Sequence, residues 1–207
     1  MADTNARRGR GRPRTFDRAH VIDVAMNSYW SEDIHGLSLN EICRRAGVSK
    51  PGMYREFGGE DGLMESALAH YAETVLAPLI ALIAAEAAFT EVLGQLLTFM
   101  TRADRDRPAG CLLAKLRSAP SRLGPVSQAR VAALRDTAIA AYTDWIERAK
   151  VRGEVSSSIP THVAAALLDT YFMTLMTQMA AGEDPDLVRA QAQLALAGLT
   201  GLDAYEG

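Results

Sequence analysis

Cysteine is nearly missing from these 207 residues: Cys43 and Cys111 are the two, far apart in the chain. So few thiols exclude a disulfide-stapled secreted scaffold and make a reducing compartment the expectation. Aromatic side chains are scarce as well, at 6%. No long hydrophobic run is present; the longest, Val75 to Ala85, is interrupted by Pro78 and falls short of the roughly 20 apolar residues that span a bilayer. The basic N-terminus does not lead into the apolar stretch of a signal peptide. No membrane partner and a cytoplasmic location are therefore expected. No segment alternates with period two over a useful length, which argues against a sheet. The histidines His20, His35, His70 and His162 are scattered without ligand spacing, so no metal is proposed. Paired carboxylates, a phosphate-cradling glycine loop and a nucleophile–base arrangement are all missing, so neither a cofactor nor an enzyme is expected.

What the chain does have is helix. It is 48% hydrophobic and rich in Ala and Leu, a composition that favours α-structure. The whole chain carries a net charge of −3, but the charge is unevenly spread. Residues 1–57 hold ten Lys and Arg against seven Asp and Glu, a net of +3, and the rest is −6. That is the sign pattern of a basic binding end on an acidic body. Residues 1–15 form a Gly- and Arg-rich arm without apolar periodicity. The arginines of this arm, Arg12 and Arg14 among them, either enter a minor groove or stay solvated and raise nonspecific affinity.

Helix signals follow in close order. Asp17 is a good N-cap for a first helix carrying Val21, Ile22, Ala25, Met26 and Tyr29 on one face. Ser38, with Glu41 three residues on, reads as a capping box for a second helix, which Gly47 ends. Ser49 caps a third, Pro51 suits its first turn, Met53, Tyr54 and Phe57 give it apolar contacts, and Gly58-Gly59 stops it. Two short helices joined by Ala46-Gly47-Val48-Ser49 make a helix-turn-helix, in which the first element braces a second that fits a major groove ~12 Å wide. Lys50, Gly52 and Arg55 should point outward with Tyr54 nearby: Lys50 and Arg55 for guanine edges or phosphates, Gly52 for close backbone approach. Ser38, Asn40 and Arg44 are placed to contact phosphates, which set register rather than sequence.

From Val21 to Leu63 the chain resembles the DNA-binding domain of the tetracycline-repressor (TetR) family. The matching stretches are Val21-Ile22-Asp23-Val24-Ala25, Ser38-Leu39-Asn40-Glu41-Ile42, Ala46-Gly47-Val48-Ser49, Met53-Tyr54-Arg55-Glu56-Phe57 and Leu63-Met64. The resemblance implies a homodimeric regulator of transcription, most often a repressor, whose helical C-terminal domain binds a small effector and controls DNA affinity. It implies double-stranded operator DNA as partner and puts Ser49 and Pro51 with the other contact residues. Some positions depart from the family pattern. Glu60 stands where Lys often contacts a phosphate, Glu56 replaces a frequent His, Asp33 a frequent Gly, and Cys43 a small Ala. A weakened DNA contact is expected at Glu60.

The reading is an all-α protein of about nine helices: an arm (1–15), a three-helix helix-turn-helix domain (16–60) and a larger effector-binding and dimerisation bundle (61–207). A long helix starts at Glu60, with Pro78 as a kink, and further helices cover about 90–103, 110–118, 125–152, 160–181 and 184–202. Met173, Met176 and Met179, with Tyr171 and Phe172, recur at helical spacing and suit an adaptable apolar ligand wall or a packed core and dimer seam; Phe99, Tyr142 and Trp145 carry the same readings. Cys111 follows Pro108-Ala109-Gly110 near a helix start, with Lys115 one turn on, which would favour a thiolate sensor of electrophiles or oxidants; the alternative is a small buried core residue. Cys43 is assigned to the core. Dimerisation is expected through 160–181 and 184–202, where small residues permit close packing, and an operator with half-sites roughly 34–36 Å apart follows. A protein-interaction adaptor that keeps the helix-turn-helix as scaffold remains the outside alternative.

Overall fold

The computed structural model describes residues 16–102 and 107–200. Among them are nine α-helices and no strand: α1 (Arg18–Ser31), α2 (Leu39–Ala46), α3 (Lys50–Phe57), α4 (Glu60–Ile83), α5 (Phe89–Met100), α6 (Leu112–Ser118), α7 (Pro125–Val151), α8 (Thr161–Ala180) and α9 (Pro185–Leu196). The expected boundaries hold to within a few residues, because caps are strong local signals. Asp17 accepts from the His20 amide, Ser38 from Glu41 and Ser49 from Gly52. Gly47 takes the left-handed conformation, φ 66°, that closes α2 and that a side chain would resist.

The first three helices close on a core that includes Val21, Ala25, Ile42 and Met53, all fully buried, with Cys43 at 5% exposure. Helix α4 joins this core through Leu63, Ala67 and Leu68 and continues into the bundle, packing on α1 at one end and along α7 further on. By length and composition α4 is apolar enough to cross a membrane, with mean hydropathy 1.5 over its best window, but it is the shared strut of both halves. Pro78 has the expected effect in a particular form. It lacks the N–H that would bond the Thr74 carbonyl, and the chain absorbs this by winding Ala72–Leu76 as π-helix, with the Ala77 amide on the Ala72 carbonyl.

The 27-residue α7 has no capping side chain of its own. Asp61 of α4 supplies one from outside, accepting the amides of Val126 and Ser127 at 2.9 Å each and the Ser127 hydroxyl. That bond set satisfies amides that would otherwise be orphaned and places a carboxylate at the positive end of the helix dipole. In the bundle, α7 and α8 pack along their length and α9 covers α8.

Candidate nucleic-acid interface and ligand cavity

Helix α3 is held between its Ser49 cap and Gly58, and its buried side rests on Met53 and Phe57. Lys50, Pro51, Tyr54 and Arg55 are left on the outside. Tyr54 is 50% exposed, so it faces solvent rather than giving α3 an apolar contact. The Lys50 ammonium stands 6.0 Å from the centre of its ring, which orders two exposed side chains side by side. Ser38, Asn40, Arg44 and Ser49 are exposed on the same helix-turn-helix. Arg12 and Arg14 lie outside the described residues.

Two local expectations need correction. Gly52 does not point outward: it is buried, and a Cβ there would lie 3.5 Å from the Phe16 ring and 3.1 Å from the Ser49 hydroxyl. Its smallness lets the segment before α1 lie against α3. The Ser38 cap is formed, but Glu41 does not complete the box. Its carboxylate takes Arg44 and Arg45 instead, whose hydrogen bonds hold it down to about 2. The two acidic departures from the family pattern, Glu56 and Glu60, each have an arginine partner. Glu56 pairs with Arg18 at 3.4 Å, and Arg18 also lies over the Phe57 ring; Glu60 pairs with Arg122 at 3.4 Å.

Behind this surface lies a cavity of about 420 Å³ within the bundle. Of the seven residues expected to line it, Phe99, Cys111, Tyr142, Phe172, Met173 and Met176 do so. Trp145 does not. It is fully buried against Phe89, ring centres 4.4 Å apart, one helical turn beyond Tyr142. Met179, read from the sequence as part of the same Met-lined wall, lines it too, whereas sequence reasoning missed Tyr71 and, above all, Trp30. Trp30 belongs to α1 of the helix-turn-helix and reads there as core, so nothing local marks it as a cavity residue. Its indole N–H donates to the Gly110 carbonyl at 3.3 Å, and its ring meets Tyr71 edge-on at 5.0 Å.

Cys111 caps α6 and receives the Tyr71 hydroxyl at 3.1 Å. The features expected to stabilise its thiolate do not prevail. Burial pushes the thiol up, outweighing the Tyr71 hydrogen bond and the helix amides. Lys115 turns away, its ammonium donating to the carbonyls of Trp30 and Glu32 at the end of α1. Thus α6 touches the cavity at its N-cap, Cys111, and the helix-turn-helix one turn later. Arg122, just beyond, adds bonds to the Ile34 and Leu37 carbonyls.

Comparison with known proteins gives a consistent picture. Residues 21–67 match the family model for bacterial regulatory proteins of the tetR family. Among curated proteins, the chain is 29% identical over 112 residues to the HTH-type transcriptional repressor ComR of Escherichia coli (strain K12). That match spans 52% of this chain and about half the length of the relative, 52%. Among solved structures, a cysteine mutant of the TetR family regulator CifR, complexed with 26-bp operator DNA, superposes with a TM-score of 0.78 at 24% identity, over 91% of this chain and 100% of that one. A TetR family regulator from Agrobacterium tumefaciens gives 0.78 at 17%, over 88% and 97%. At such identities the solved structures speak for the fold.

Proposed function

We propose that this chain, whose residues 21–67 match the tetR family of bacterial regulatory proteins, acts as a regulator of that family, binds a near-palindromic operator as a homodimer and releases it when a small apolar molecule enters the bundle cavity. The observation that carries the DNA-binding half is the exposure of Lys50, Tyr54 and Arg55 on one capped, core-braced helix. Arg55 and Lys50 suit guanine edges and phosphates, Tyr54 a phosphate and a thymine methyl. Ser38, Asn40, Arg44, Ser49 and Pro51 flank them as backbone contacts, and Arg18, paired with Glu56, adds a cation beside the reading helix.

Dimerisation is assigned to the outer face of α8 and α9. Val163, Leu187 and Leu194 are exposed there, Leu194 at 81%, among the small residues Ala166, Ala190, Ala197 and Gly198. Leu168, Leu196 and Leu199 are spent inside the protomer, so the seam draws on the first set. The release step follows from linkage. A ligand that prefers one arrangement of the reading helices must weaken operator binding by that preference, typically ~1–3 kcal/mol. The route has direct contacts: Trp30 lines the cavity as part of α1, and Lys115 ties the end of α1 to α6.

Selection of bound fragments from random DNA, followed by titration of the recovered site, tests the reading. Lys50→Ala, Tyr54→Phe and Arg55→Ala together should abolish discrimination between the selected site and a scrambled one. Retained discrimination would refute the assignment of α3 as reader.

A further inference from the structure

The cavity has a neighbour. A second chamber of about 290 Å³ lies between α4, α7 and α8, and its wall shares Cys111, Tyr142 and Met173 with the first. Tyr142 therefore stands where the two chambers meet. It is 8% exposed, its ring is edge-on to Phe172 with centres 5.5 Å apart, and among the described residues no group hydrogen-bonds its hydroxyl. Glu73, in the wall of the second chamber, is exposed to solvent, and the buried polar groups of this region are engaged. Tyr71 donates to Cys111 at 3.1 Å. Both terminal nitrogens of Arg117 are on the Asp169 carboxylate at 2.9 Å, and Arg135 approaches it at 3.6 Å. The charged residues in the wall of the first chamber, Arg102, Arg107 and Glu183, are exposed to solvent.

The Tyr142 side chain lines both chambers, so water can meet its hydroxyl when they are empty. A guest that displaces that water without bringing an acceptor forfeits the hydrogen bond, and one that brings an acceptor keeps it. The charge around the hydroxyl decides what kind of acceptor. Burial and the Asp169 carboxylate both oppose a negative charge at Tyr142, and Asp169 acts on it more strongly than Arg117 does. An anionic acceptor would meet the same opposition, besides losing its hydration in an apolar chamber. A cation would find Asp169 already paired. The wall of the first chamber is largely flat or soft: Trp30 and Phe172 rings, and the flexible thioethers of Met173 and Met176, which adapt to a planar guest.

We propose that the effector is a planar, uncharged, largely apolar molecule with one hydrogen-bond-accepting oxygen, seated on the Tyr142 hydroxyl where the two chambers join. This rests on the effector-cavity reading above.

Three probes of nearly equal shape separate the outcomes by equilibrium dialysis against the full-length protein: 2-acetylnaphthalene (neutral acceptor), 2-isopropenylnaphthalene (no acceptor) and 2-naphthoate (anionic acceptor). The ketone should bind about tenfold more tightly than the alkene, the worth of one well-made hydrogen bond, and the carboxylate more weakly than the ketone. Tyr142→Phe should lower ketone affinity to that of the alkene while leaving alkene affinity unchanged, which also reports that the variant is folded. A ketone preference that survives Tyr142→Phe, or tightest binding of the naphthoate, would overturn the ligand class but leave the cavity as effector site. Binding of none of the three would overturn the cavity reading together with it.

Discussion

Cys111 illustrates how one side chain can have the right neighbours in sequence and the wrong ones in space. Its place at the start of α6 and one turn before Lys115 reads as an activated thiol. In the folded chain the thiol is buried, its protonated form is favoured, and the Lys115 charge is spent on two carbonyls of α1. Iodoacetamide should accordingly modify Cys111 more slowly than free cysteine at neutral pH, with the rate still climbing above the ordinary thiol range. Alkylation faster than the free amino acid would contradict the burial argument. Gly52 is a second case. Its lack of a side chain is used inward, beneath Phe16, and the exposed side of α3 is left to Lys50, Tyr54 and Arg55.

At the scale of the element, helix ends are where the two halves of the molecule are tied together. Asp61 is one such tie, since it caps α7 from the start of α4. Burial works against its charge, but the Ser127 hydroxyl and the amides of Ser127 and Val126 outweigh it and hold the carboxyl below its usual range. A carboxyl depressed in the folded state stabilises fully above its unfolded pKa, roughly 4, and loses that contribution as the pH falls through the folded value. Asp61→Ala should therefore cost about 1–2 kcal/mol at neutral pH in urea denaturation. The gap to the parent protein should narrow as the pH falls below the ordinary carboxylate range and through the lowered folded value. A gap of constant size across that range would show that the cap is not the source. Helix α6 is the other tie: seven residues long, it has the cavity at one end and the C-terminus of α1 against its middle.

For the whole molecule, the question is what covers the outer face of α8 and α9. Leu194 at 81% exposure is a large apolar side chain that a lone protomer gains nothing by displaying. If two copies meet there, Leu194→Arg at the centre of a two-fold seam brings two cations together with no partner. Sedimentation equilibrium should then report a monomer at micromolar concentration, with unchanged helix content and operator affinity lowered at least tenfold. A variant that remains dimeric would move the interface elsewhere.

Much of this protein was legible residue by residue, because caps, glycine stops and the spacing of apolar residues act over three or four positions. Asp17, Ser38, Gly47, Ser49 and Gly58 mark helix ends without reference to anything distant, and the nine helices and the exposed side of α3 follow from them. Trp30, Tyr71 and Asp61 carry no such mark. Each takes its role from a group 40 to 80 positions away, Gly110 for Trp30, Cys111 for Tyr71 and Ser127 for Asp61. The wall of the cavity, the cap on α7 and the quenching of the Cys111 thiolate exist only once α4, α6 and α7 have packed. Periodicity says which face of a helix is apolar; only the packed bundle decides whether that face meets another helix, as at Trp145, or an empty chamber, as at Tyr142.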